Sequence, residues 1–93
     1  MNVRFFYADQ EAEAQSFAEE GGIAIHTAAE GYQVWGRRRL LKEWAMARGF
    51  QRYEMGFPLV TGIWSIVLTG AAARQVEVEL GLHACDVAEG ADV

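Results

Sequence analysis

The chain has one cysteine, Cys85, which excludes an internal disulfide. Its fold must rest on packing and hydrogen bonding, an economy that suits a reducing compartment. Pro58 is the only proline, so most breaks between elements fall to the ten glycines. Histidine occurs twice, as His26 and His83. The compact His83-Ala84-Cys85-Asp86 run holds metal-capable groups. Structural zinc, however, takes four ligands in paired spacings, so no metal and no cofactor is expected. No apolar run approaches the roughly 18 residues of a membrane span, and Met1–Asp9 lacks the apolar region of a secretory signal. The expected protein is soluble and cytoplasmic, without membrane contact. Glycine-rich phosphate loops of the Walker or dinucleotide type are missing as well. The carboxylate pairs Glu11/Glu13, Glu19/Glu20 and Glu77/Glu79 read as helix-end or solvated positions, not as an acid/base pair. The expectation is a non-catalytic protein.

What the chain does have is apolar content and unevenly placed charge. Hydrophobic residues are 52% and charged residues 23% of 93, which is a globular composition for one domain. Eleven aromatics offer large buried areas for so short a chain. Between Arg37 and Arg52, six basic residues (Arg37, Arg38, Arg39, Lys42, Arg48, Arg52) face one acid, Glu43, a local charge of +5. Residues 1–36 hold one cation against six carboxylates, as do residues 53–93, so each flank carries −5. The basic island is set between two acidic segments.

Periodicity predicts the elements in order. Val3–Tyr7 is β-branched and aromatic, a strand. Asp9 is placed as N-cap for a helix over Gln10–Glu20, with Ala14, Phe17 and Ala18 inward and Gly21-Gly22 as its stop. Ile23–Thr27 and Tyr32–Trp35 form a hairpin around the loop Ala28–Gly31, with Gly36 breaking the second strand. In the next helix Leu40, Leu41, Trp44 and Ala45 make a stripe at the helical period, and Gly49 ends it. Three arginines in its first turn oppose the helix dipole. Gln51–Met55 alternates like a half-buried strand, residues 56–62 read as a loop, and Ile63–Leu68 reads as a central strand buried on both faces. Residues 69–81 carry conflicting signals. Val76-Glu-Val-Glu-Leu80 alternates like a strand, whereas Thr69, the three alanines, the Ala72/Val76/Leu80 spacing and Gly81 favour a helix, which is the assignment adopted. Residues 1–82 are expected to form a single α+β domain and residues 83–93 an acidic, mobile tail. The expected architecture is a small antiparallel sheet with helices packed on one face, in ferredoxin-like βαββαβ order plus a C-terminal helix.

For function, the leading expectation is a protein-interaction module, an inhibitor or adaptor. Its acidic surface of Glu11, Glu13, Glu19 and Glu20 would dock on a basic, nucleic-acid-binding protein. A phage-type inhibitor of a defence complex is one example. A second reading is nucleic-acid binding by the island Arg37–Arg52, with Trp35 stacking on bases and Arg37, Arg38, Lys42 and Arg48 pairing with phosphates. The net charge of −5 makes nucleic acid the lesser partner. A third is a self-associating structural domain, a homodimer joined through its opposite-charge faces.

Overall fold

A computed structural model describes residues 2–50 and 62–81. Seven elements follow in the order β1 (Val3–Phe6), α1 (Glu11–Glu19), β2 (Ile23–Ala28), β3 (Gly31–Arg37), α2 (Arg38–Ala47), β4 (Ile63–Leu68) and α3 (Gly70–Leu80). The α+β class and the element order agree with the sequence reading. The sheet differs from it in two ways.

First, the four strands lie side by side in sequence order, and β1 runs parallel to β2 while β2–β3 and β3–β4 are antiparallel. The sheet is mixed, not antiparallel. Because α1 returns the chain to the start of a neighbouring parallel strand, β1-α1-β2 is an unsplit βαβ unit. The ferredoxin-like arrangement needs a strand inserted between those two. Second, the helices lie on both faces. Strand side chains alternate, so Val3, Phe5, Ile23, Ile25, Tyr32, Val34, Trp64, Ile66 and Leu68 line one face, packed with Leu41, Trp44 and Ala45 of α2 and Ala73 and Val76 of α3. Phe6, Ala24, Trp35 and Ile63 line the other and meet Ala14, Phe17 and Ala18 of α1. Both faces of the central strands carry apolar side chains, so a helix layer on one side would leave the second set in water.

Ile63–Leu68 is the end strand of the described sheet, not a central one, and its Val67 is 61% exposed. The centre belongs to β2 and β3. Gly36 does not break β3: it is buried within it, opposite Trp64. A Cβ there would meet Ile23 Cδ1 at 2.7 Å and Leu41 Cβ at 3.7 Å. Its role is close approach of β3 to the first residue of β2 and to α2. The hairpin is tighter than predicted, since Ala28 pairs with Gly31 and only Ala29 and Glu30 turn. Gly31 has φ +111, and a Cβ on it would lie 2.1 Å from the Leu68 carbonyl oxygen. Only glycine fits there.

Residues 69–81 form the predicted helix, with Thr69 at the N-cap and Gly81 in the left-handed conformation at the C-cap. Val78 is 81% exposed while Val76 is buried, so the helical period overrides the alternation. At α1 the N-cap is Gln10, not Asp9. The Gln10 side-chain oxygen accepts from the Tyr7 backbone N–H at 2.9 Å and closes the turn out of β1. None of the three N-cap side chains bonds its own helix, so the starts of the described helices rest on packing rather than on side-chain caps. The predicted strand Gln51–Met55 and the tail from residue 83 lie outside the described residues.

Candidate functional site

The helix α1 is amphipathic with a narrow apolar stripe. Ala14 and Ala18, one turn apart, are fully buried, and small side chains let the helix sit close on Phe6, Ala24 and Trp35. Close seating leaves every glutamate outside: Glu11, Glu13, Glu19 and Glu20 are all exposed. Helical geometry divides them. At 100° per residue Glu13 and Glu20 fall on the flank beside Phe17, whereas Glu11 and Glu19 fall on the other side of the Ala14–Ala18 stripe. Two acids in the first turn suit the helix dipole, while Glu19 and Glu20 at its end do not. The end is compensated by a cation. Arg37 Nη2 donates to the Glu19 carbonyl oxygen at 2.6 Å, at the negative pole of α1.

The flank bearing Glu13 and Glu20 borders a groove of about 380 Å³ between α1 and β1. Gln10, Glu13, Phe17 and Glu20 form one wall and Arg4 and Phe6 the other. The Phe6 and Phe17 rings pack 5.6 Å apart at 55°, with Phe6 buried and Phe17 half-buried, and the Arg4 guanidinium lies over the Phe6 ring at 5.2 Å. The sequence reading did not find this groove. Its signal was present in the 10/13/17/20 spacing on α1 and in Arg4 and Phe6 sharing one strand face. What could not be read was that β1 lies beside that flank.

The basic island is dispersed by the fold. Trp35 is 1% exposed and packs under α1 with the His26 ring 5.4 Å away. It is a core residue and cannot stack on a base. Its position in the middle of β3, facing the alanines of α1, is the reason. Arg48 is likewise occupied. Its Nε donates to Glu79 Oε2 at 2.9 Å, Nη2 pairs with Glu79 Oε1, and Nη1 donates to the Trp44 carbonyl oxygen at 3.1 Å. The guanidinium also covers the Trp44 ring at 4.5 Å. Arg48 therefore fastens α2 to α3, and Glu79 is not a merely solvated position. Arg37, Arg38 and Lys42 are exposed, with Arg38 over the Trp64 ring at 5.7 Å and Arg39 paired with Glu43 at 3.5 Å. Of the three arginines against the α2 dipole, Arg37 reaches a carbonyl and Arg38 an aromatic ring, while Arg39, its side chain 91% exposed, has only the solvated pair with Glu43.

Two further polar groups are structural. His26 is buried, its Nε2 3.0 Å from the Ala8 carbonyl oxygen, so it ties β2 to the turn before α1. Tyr32 is buried on the opposite face near Glu77. Burial first, and then the adjacent Glu77 carboxylate, push its phenol up to about 12. Among the described residues no cluster of three metal-capable side chains occurs, and no helix is long and apolar enough to cross a membrane.

The decisive electrostatic fact is placement. The acids of α1 stand on one face of the sheet, and the cations Arg38, Arg39 and Lys42 of α2 stand on the other. Of the arginines at the start of α2, Arg37, at the junction, reaches across, and Arg4 of β1 also stands on the α1 face. Comparison of the chain with protein-family models, curated proteins and solved structures returns no match.

Proposed function

We propose that this chain is a non-catalytic protein-interaction domain, an inhibitor or adaptor, that docks the α1 face on a basic protein surface. One observation carries the reading: four exposed carboxylates on a short helix that the sheet separates from the exposed cations of α2. Such a layout leaves two fields of opposite sign, and the acidic one sits on the helix with the fewest partners for its charge. Complementary fields steer encounter and exclude partners of like sign. A basic surface that normally binds nucleic acid is the fitting class of partner, and cytoplasmic action is consistent with the single cysteine. The test is affinity capture from host lysate, comparing the native chain with one carrying Lys at 11, 13, 19 and 20. Proteins with a basic surface should be enriched by the native chain and lost with the reversed one. Equal capture by both chains rejects the reading.

A second reading assigns phosphate contact to the opposite face, supported by the exposure of Arg38 and Lys42, with Arg37 held on the Glu19 carbonyl. It proceeds without Trp35 and Arg48, which the core and the α2–α3 clamp occupy. Binding of a single-stranded oligonucleotide that weakens steeply with salt would favour it.

A further inference from the structure

We infer that the groove between α1 and β1 receives a cationic side chain, arginine or lysine, of a basic partner segment, and that Arg4 is its built-in competitor. This rests on the protein-docking reading above and locates it. The groove has the three parts such a side chain needs. Phe17, half-buried, presents ring surface for the methylene stem, and Phe6, 3% exposed beneath Arg4, backs it. Glu13 and Glu20 stand on the same wall seven residues apart, about 10.5 Å along the helix, so that carboxylates flank Phe17 on both sides. The volume, about 380 Å³, is at the small end of ligand sites and suits a side chain better than a folded element.

The chain uses the same construction internally. At the α2–α3 junction a guanidinium covers Trp44 at 4.5 Å while its fork grips Glu79. In the groove the aromatic surface and the carboxylates are present, but among the described residues neither Glu13 nor Glu20 has an ion-pair partner. Arg4 lies over Phe6 without reaching either. It lines the groove over the buried Phe6 ring and repels an incoming cation. Charge complementarity therefore selects a basic occupant, and Arg4 sets how tightly it is held. Glu11 and Glu19, on the other flank, contribute only to the general field.

The test is titration of the full chain with an Arg-Gly repeat peptide, followed by calorimetry and by the ring-proton resonances of Phe6 and Phe17. Both rings should shift on binding. The double variant Glu13→Gln/Glu20→Gln should bind about tenfold more weakly, the loss of two solvated charge pairs. Glu11→Gln/Glu19→Gln should change affinity less than about twofold. Arg4→Ala should tighten binding by about threefold, while the charge-matched Arg74→Ala, on α3, should not. All six residues are exposed, so the variants should keep the native circular dichroism. Equal losses for the two glutamate pairs would overturn the groove and leave the acidic face as the docking surface. No loss for either pair would overturn both. Ring shifts that depend on protein concentration without peptide would replace the basic partner by a second copy of this chain.

Discussion

Replacing Arg48 by alanine tests whether this residue serves the fold or a ligand, and the structure sets the size of the effect. Arg48 makes two hydrogen bonds to Glu79, one to the Trp44 carbonyl and a cation–ring contact with Trp44. Its side chain is 21% exposed and that of Glu79 40%, so the ion pair is partly screened and contributes about 0.5–1 kcal/mol. The ring contact adds about 0.5–1 kcal/mol, and the lost stem packing over Trp44 about as much again. Arg48→Ala should therefore cost about 1.5–3 kcal/mol, a fall in Tm of roughly 6–20 °C for a domain of this size. Glu79→Ala should cost less, about 0.5–1.5 kcal/mol, because it leaves the ring contact intact. Urea titrations of both single variants and the double variant give the coupling directly, expected at about 0.5–1 kcal/mol and diminished by salt. Arg48→Lys should recover only part of the loss, since an ammonium cannot fork onto Glu79. Strict additivity of the two alanine variants, or an Arg48→Ala chain as stable as the native one, would refute the clamp.

Two other outcomes follow from single residues. Gly31→Ala forces a side chain into φ +111 and against the Leu68 carbonyl, so it should destabilise by about 2–4 kcal/mol or prevent folding, readable as a lowered urea midpoint. The Tyr32 phenol is raised in the folded chain, so between pH 10 and about 12 the unfolded chain ionises while the folded chain keeps its proton. Stability should hold below pH 10 and fall as pH rises through that window, with a loss of order 2 kcal/mol. Absorbance of the tyrosinate at high pH reports the midpoint. Glu77→Gln should lower it without restoring the ordinary value, because burial is the larger cause.

Much of the local structure was legible in the residues. Leu41, Trp44 and Ala45 fall inward because their spacing matches the helical turn, and the same holds for Ala14 and Ala18. The ambiguous stretch 70–80 was settled as helix by its alanines and by Gly81, with Val78 left outside. Gly36 was misread because a glycine that punctuates a pattern and one that admits a neighbouring chain look alike in sequence. For Trp35 and Arg48 the residues leave core and ligand surface both open, for a related reason. A tryptophan beside arginines suits both a base-stacking surface and a core, and the choice depends on what packs over it.

The four glutamates of α1 and their exposure follow from composition and period alone: acids on a helix with an alanine stripe have nowhere to go but water. The sign of each segment, the helix count and the apolar faces of the strands follow in the same way, since all depend on neighbours within a few residues. The layering of the sheet does not. Whether α1 and α2 share a face, whether β1 joins β2 in parallel, and whether a groove opens beside Glu13 and Glu20 are decided by pairing between residues far apart in the chain. Both sheet faces are apolar, so burial required a helix on each, and that put the acids of α1 on one side of the sheet and the cations of α2 on the other.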